Sequence, residues 1–443
     1  MLLNEINMII SKLPLIGKYI TRINNRFTAL SNQMCDLAQE NIRLRFKLKA
    51  LSNEKINVVF VCWRPAVWGS LKTVYEAMKS DDAFDVKIIT IPNKKQLPKL
   101  GLNHDNYESE GAESFWKGDD VIAGYNYETK DWFDLQLLKA DYVCFQQPYN
   151  VCRTVAEKSW VVNKYAKIFY VAYYAFIDCK EDDFINRDTT PLDFMKDVSL
   201  YFAQNEAEKK FISNRMKEAD NISCKVIKTG FPCYDNLIKD YDIKESSWTK
   251  KNEDRFKLIW TPRWCTNENN CHFFTYKQEL VNYCNDKSDI DFVFRPHPQM
   301  FLNFASTGEL SEKEANDYKR IFADSDNMTI DVSKDYHPTF YTASCMITDI
   351  SSVVPEFFLT GKPIIYCHRK GSFNSFSKDK GYSSGFYWVE NWNELKDTLD
   401  MLRSGNDPLK EKRQELINSN FFIPKEGAGF LIKEAIKQDF LNA

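Results

Sequence analysis

Two short segments carry side chains of the types that hold phosphate. Arg295-Pro296-His297-Pro298 follows the apolar run Asp291 to Phe294, and Thr348-Asp349-Ile350-Ser351-Ser352 follows the run from Cys345 about fifty residues later. Each proline fixes its own φ and pushes the residue before it toward extended backbone, so Arg295 and His297 stand stiffly at the carboxyl end of a predicted strand. In open parallel sheets ligands bind at that edge. Ser351 and Ser352 offer N-cap hydroxyls to an apolar helical segment that stops at Gly361 and Pro363. Hydroxyls beside the first unpaired helix N–H groups attract anions. Taken singly, a Ser-Ser pair at a helix start is usually a cap and Arg-Pro-His-Pro is as often a rigid loop. Together they supply a guanidinium, an imidazole and hydroxyls to one volume, which fits a diphosphate.

Such groups need a parallel sheet to position them, and the chain alternates accordingly. From Asn57 the pattern is strand over Val58–Cys62, helix over Ser70–Lys79, and strand over Phe84–Ile91, continuing through Tyr142–Phe145 and Lys167–Tyr173. Leu200–Gln204 and Val226–Gly230 close this half, Phe231 to Ser247 is a charged linker, and Phe256 opens a second sheet. The fold class is therefore α/β, with two Rossmann-like domains over 56–235 and 250–443 behind an N-terminal helical or coiled-coil extension over 1–55. The final segment, Pro424 to Phe440, is read as a loop and a helix. The Trp63–Gly69 turn has a single glycine and is no dinucleotide fingerprint.

With 443 residues, 44% of them apolar, the chain is long enough for two cores. A net charge of −3 gives no basic excess for nucleic acid. Twelve cysteines without a Cys-x-x-Cys pair read as reduced thiols, which places the chain in the cytoplasm. Cys265, Cys271 and His272 match no standard zinc spacing, so neither metal nor cofactor is expected. The start lacks a basic n-region and a cleavage site, so no signal peptide is expected. The longest apolar stretch, near Ile168 to Ile177, is too short to span a bilayer.

The first 55 residues carry nine Lys or Arg against four Asp or Glu. Within them Ile23, Phe27, Leu30, Met34, Leu37, Asn41, Leu44, Leu48 and Leu51 alternate in steps of four and three. That is a heptad seam with Asn41 at an a position, a pattern that fixes register in two-stranded coils and predicts a homodimer through 23–51. The competing reading is a helix packed on its own first domain. Residues 2 to 20, apolar with Lys12 and Lys18, could lie on a membrane surface, and Pro14 and Gly17 are expected to interrupt any long helix there.

On Arg295-Pro-His-Pro298 and Thr348-Asp-Ile-Ser-Ser352, with the continuation from Val353 to Tyr366, the chain resembles the CDP-glycerol glycerophosphotransferases of the teichoic acid polymerase type. That family shows roughly Arg-Pro-His-Pro followed by Ser/Thr-Asp-Tyr-Ser-Ser. The resemblance covers about 255 to 440 and fades before it. It implies a GT-B-like fold and a transferase that moves glycerol phosphate, or a related polyol phosphate, from a CDP-polyol donor to a hydroxyl. The acceptor would be a surface glycan of teichoic-acid or capsule type, or a lipid-linked one, and CMP would be released at the inner face of the cell membrane. Carried onto this chain, Arg295 and His297 hold the diphosphate or protonate the leaving group. Ser351 and Ser352 bind it, Asp349 orders their loop, and Glu356 reaches the donor's ribose. Arg263, in Trp260-Thr-Pro-Arg-Trp264, supplies a charge where the family has Pro-Thr-Phe/Trp-Arg. The family's Trp-His-Gly motif is missing: the comparable strand end reads Phe145-Gln-Gln-Pro-Tyr-Asn150, without histidine. His104 and His337 remain as base candidates, while His272 and His368 read as ordinary loop and strand-end residues. The alternatives are a GT-B nucleotide-sugar glycosyltransferase of surface polysaccharide synthesis and a non-catalytic scaffold.

Overall fold

A computed structural model describes residues 14–94, 107–109, 111–176, 184–235, 237, 241–251, 253–333, 335–372 and 376–443. His104 and most of the segment expected at a membrane surface lie outside them. The first sheet is built from β1 (Ile56–Cys62), β2 (Phe84–Thr90), β3 (Val121–Ala123), β4 (Tyr142–Phe145), β5 (Lys167–Val171), β6 (Leu200–Ala203) and β7 (Lys225–Lys228). Its order is β3-β2-β1-β4-β5-β6-β7. The second contains β8 (Phe256–Thr261), β9 (Ile290–Phe294), β10 (Met328–Ile330), β11 (Cys345–Thr348), β12 (Ile364–Cys367) and β13 (Tyr387–Val389), in the order β10-β9-β8-β11-β12-β13. Every pairing in both sheets is parallel. Burial on both faces explains why β4 reads as a continuous apolar run, and β1 and β9 as runs broken only by Asn57 and Asp291, rather than as alternating ones. In each sheet the chain reverses direction of winding between its first and fourth strands, β1/β4 and β8/β11. Those two switch points open toward ligands.

Among the helices are α1 (Pro14–Leu51), α2 (Gly69–Lys79), α3 (Glu206–Glu218), α4 (Phe273–Asn285), α5 (His337–Thr342), α6 (Val354–Phe358) and α7 (Ala428–Leu441). α1 starts at Pro14, where a proline lacks nothing the first turn needs, and continues through Gly17. The expected interruption at these residues does not occur. α1 uses two faces. Ile42 and Phe46 are buried against the first domain, Phe46 packing on Tyr142 and Phe440 with ring centroids 5.2 and 4.9 Å away. The heptad seam points elsewhere: Phe27, Met34, Leu37 and Leu48 are 73%, 68%, 66% and 65% exposed.

α7 packs on α2 and the first sheet, where Ile432, Ile436 and Phe440 join the core. Asp235 fastens this return. It accepts the N–H groups of Ala428 (2.6 Å) and Gly429 (2.8 Å) and the hydroxyl of Thr73 (2.6 Å). A Cβ on Gly429 would lie 2.5 Å from the Thr73 carbonyl carbon, so only glycine admits this approach of α7 to α2.

Candidate active site

The second switch point is stitched by a threonine pair. Thr261 and Thr348 are register partners at the ends of β8 and β11, and their hydroxyls hydrogen-bond at 2.9 Å. The next residue, Asp349, is 1% exposed. One of its carboxylate oxygens accepts the backbone N–H of Arg263 (2.9 Å) and of His272 (3.0 Å), and the other lies 2.7 Å from His272 Nδ1. A carboxylate is only an acceptor, so that nitrogen carries the proton. Asp349 thus binds the entire 262–272 loop between β8 and α4 to β11. His272, read from sequence as an ordinary loop residue, is buried as its imidazole partner and stacks on Tyr276. Arg263, carried out on this loop, donates to both oxygens of Glu268 at 3.0 and 2.8 Å.

The end of β9 carries two different side chains. Arg295 turns inward: it donates to Asp331 (2.7 Å) and to the Ser333 carbonyl (3.2 Å), and its guanidinium lies 4.6 Å from the Tyr336 ring centroid. It holds the loop after β10. His297 is exposed, with its ring 5.8 Å from that of Trp264. Nδ1 accepts the Gln299 N–H at 3.2 Å, which leaves Nε2 to donate outward. Neighbouring protein partly strips water from the ring although the residue reaches the surface, and this desolvation, then the positive charges of Arg263 and Arg64, hold its pKa below the usual imidazole value. Arg64 belongs to the first domain, so His297 faces across the cleft.

Ser351 and Ser352 lie next to Asp349 but do not open the helix. α6 begins at Val354 with Val353 as its N-cap and runs five residues. Ser351 Oγ accepts from the Val353 N–H only at 3.5 Å, and Ser352 is exposed. Pro355 sets that start, since a proline is accommodated in the first turn and not deeper. The hydroxyls are therefore presented on a turn ahead of a short helix. Glu356 joins a second cluster, accepting from Tyr336 OH at 2.7 Å and lying 3.3 Å from His337 Nε2, while His337 Nδ1 is 2.7 Å from Asp335. Burial depresses the His337 pKa, but the two carboxylates outweigh it and raise it.

Arg263, His297, Asp349, Ser351 and Ser352 thus all lie just past the carboxyl ends of the neighbouring strands β8, β9 and β11. Arg295 and Glu356 stand behind them, linked through Tyr336. Arg64 is the residue that sequence reasoning missed. Its signal was present, because Arg64-Pro65 repeats at the end of β1 the dipeptide that ends β9. Across the first switch point, Gln146 occupies the place where the histidine was sought. Among the described residues, no group of three or more His, Cys, Asp or Glu is placed to hold a metal ion.

Comparison with known proteins gives the following similarities. Residues 187–387 match the model of the family described as CDP-Glycerol:Poly(glycerophosphate) glycerophosphotransferase. The minor teichoic acid biosynthesis protein GgaB of Bacillus subtilis (strain 168) is 27% identical over 213 residues, which is 44% of this chain and 22% of that protein's length. Among solved structures, the S. aureus MnaA–UDP co-structure superposes with a TM-score of 0.58 at 12% identity, covering 87% of this chain and 96% of that one. The wall teichoic acid polymerase TagF gives 0.52 at 13% identity, covering 94% and 98%. These structural likenesses establish a two-domain, GT-B-like fold. Both the Arg295–Pro298 and Thr348–Ser352 segments fall inside the stretch, residues 187–387, that is similar to the CDP-glycerol glycerophosphotransferases.

Proposed function

We propose that the protein transfers glycerol phosphate, or a related polyol phosphate, from a CDP-activated donor to a hydroxyl of a teichoic-acid-like or capsule-type acceptor, releasing CMP. The second domain takes the donor and the first the acceptor. The observation that carries this reading is the placement of Arg263, His297, Ser351 and Ser352 just past the carboxyl ends of three neighbouring strands within the family-matched stretch. The acceptor oxygen attacks the polyol-bearing phosphorus in line. The new O–P bond forms as the bond to the CMP phosphate breaks, so the site must neutralise charge on two phosphates and align three atoms. Arg263 supplies charge, and the serine hydroxyls donate to phosphate oxygens. His297 donates through Nε2 as a neutral imidazole, because its lowered pKa disfavours protonating the leaving group. Arg295 acts by holding the loop after β10.

The test is a donor screen with CDP-glycerol, CDP-ribitol and UDP-sugars, read by ³¹P NMR. A new phosphodiester with CMP supports the transferase, whereas release of a nucleoside diphosphate would assign a nucleotide-sugar glycosyltransferase instead. We further propose a homodimer through residues 23–51, supported by the exposed seam on the face of α1 turned from its own domain. Cytoplasmic placement at the inner membrane face completes the proposal. Among the described residues, no helix is long and apolar enough to cross a membrane.

A further inference from the structure

We propose that the carboxyl edge of the first sheet forms the acceptor half of the reaction centre: Arg64 reaches the phosphate being transferred, and the paired hydroxyls of Tyr149 and Tyr173 hold the attacking alcohol. This rests on the transferase reading above. β1, β4 and β5 are neighbours in the sheet, so the residues just past their ends share one edge. Arg64 is two residues beyond β1 and exposed. Its backbone is clamped from beneath by Gln146, which is 1% exposed. The N–H groups of Trp63 and Arg64 donate to Gln146 Oε1 at 3.0 and 2.9 Å, and Gln146 Nε2 donates to the Arg64 carbonyl at 2.9 Å. A buried amide spends both its ends on fixing the backbone of a surface arginine, and Pro65 stiffens the next residue. Such rigidity has a use where a side chain must meet a ligand.

Beside it, the Tyr149 and Tyr173 hydroxyls lie 2.9 Å apart. Burial raises both pKa values, so both phenols stay protonated and act as hydrogen-bonding groups rather than as a base. Arg64's charge is felt by Tyr173 on its own domain and by His297 on the other. In the transfer, one phenol donates to the alcohol oxygen and the pair fixes its direction of attack. Arg64 takes up charge on the non-bridging oxygens from the first domain, as Arg263 does from the second. The O–P bond forms, the electron pair of the breaking P–O bond leaves with CMP, and the alcohol proton passes to solvent. This division of labour also accounts for a first domain without the expected histidine.

The test uses the full chain. With ¹³C-labelled histidine, and His297→Gln to assign the signal, the His297 pKa should rise in Arg64→Gln; an unchanged titration overturns the cross-cleft placement. With CDP-glycerol as donor and glycerol as the alcohol, Arg64→Gln should lower kcat about 10²-fold to 10³-fold, the range for losing one preorganised donor. CDP-glycerol affinity by calorimetry should stay within about threefold. Tyr173→Phe should raise the KM for glycerol about tenfold, as the loss of one hydrogen bond to the alcohol predicts, and leave donor affinity alone. If kcat stays near wild type, or the loss lies wholly in donor affinity, the inference fails while the transferase reading stands. If the wild type neither binds nor turns over CDP-glycerol, the transferase reading itself fails.

Discussion

Replacing Asp349 with alanine should loosen the donor loop before it affects anything else. The carboxylate is fully enclosed and satisfies three donors, the N–H groups of Arg263 and His272 and the His272 ring. Its removal strands all three in a buried place. Each unsatisfied buried group costs about 1–3 kcal/mol, so three cost about 3–9 kcal/mol before relaxation. We expect the lower part of that range, about 3 kcal/mol, because the 262–272 loop can move to admit water. The effect is local, so the assay should be local too. Hydrogen exchange at the Arg263 and His272 amides should accelerate about 10²-fold, the equivalent of that free energy, while amides of β1 in the first domain keep their rates. Asp349→Asn should fall between, since its amide oxygen still accepts but its NH₂ faces a donor. Unchanged exchange at those two amides, or equal acceleration in β1, would refute the role given to this carboxylate.

Four further outcomes follow from the same geometry. If His297 works as a neutral donor, kcat/KM should be flat between about pH 6.5 and 8, whereas a leaving-group acid with its lowered pKa would give a fall as pH rises through that window. Ser351→Ala with Ser352→Ala should cost less than about 0.5 kcal/mol in a thermal melt, because the one cap contact is 3.5 Å long, yet weaken CDP-glycerol binding by about 1–3 kcal/mol; the reverse pattern would make the serines structural. His337 has a raised pKa in the folded state, so its ion pairing stabilises fully below the unfolded value near 6.5 and is lost as pH climbs through the folded one. The melting gap between wild type and His337→Gln should accordingly be widest below about pH 6 and close toward pH 8; a constant gap rejects the pairing. Leu30→Glu with Leu37→Glu should turn a dimer into a monomer in light scattering at unchanged stability, because both side chains are exposed, whereas Phe46→Ala on the docked face should cost about 3–5 kcal/mol; an unaltered mass for the double variant would reject the seam.

What the sequence made legible was whatever neighbouring residues decide. The central strands of both sheets stood out because parallel strands buried on two faces need apolar runs, whereas the three-residue edge strands β3, β10 and β13, only partly buried, left no such run to read. Arg295 and His297 were placed at a strand end by their own prolines. The start of α6 was equally local, and the misreading there came from weighing serine caps above Pro355, which fixes the first turn more strictly than a hydroxyl does. His272 was beyond this kind of reading. Its partner Asp349 lies 77 residues on, and the two meet only because β8 and β11 pair in register. The two faces of α1 show the same limit in another form. A heptad count finds the exposed seam, but Ile42 and Phe46 have meaning only once β4 and the returning α7 stand beneath them. Arg64 joins both kinds: its dipeptide is local and visible, yet its partner across the cleft exists only after two sheets have folded and faced one another. In a two-domain transferase the groups that bind one substrate can be read from one strand end. The groups that bring two substrates together cannot, because no single strand end contains them.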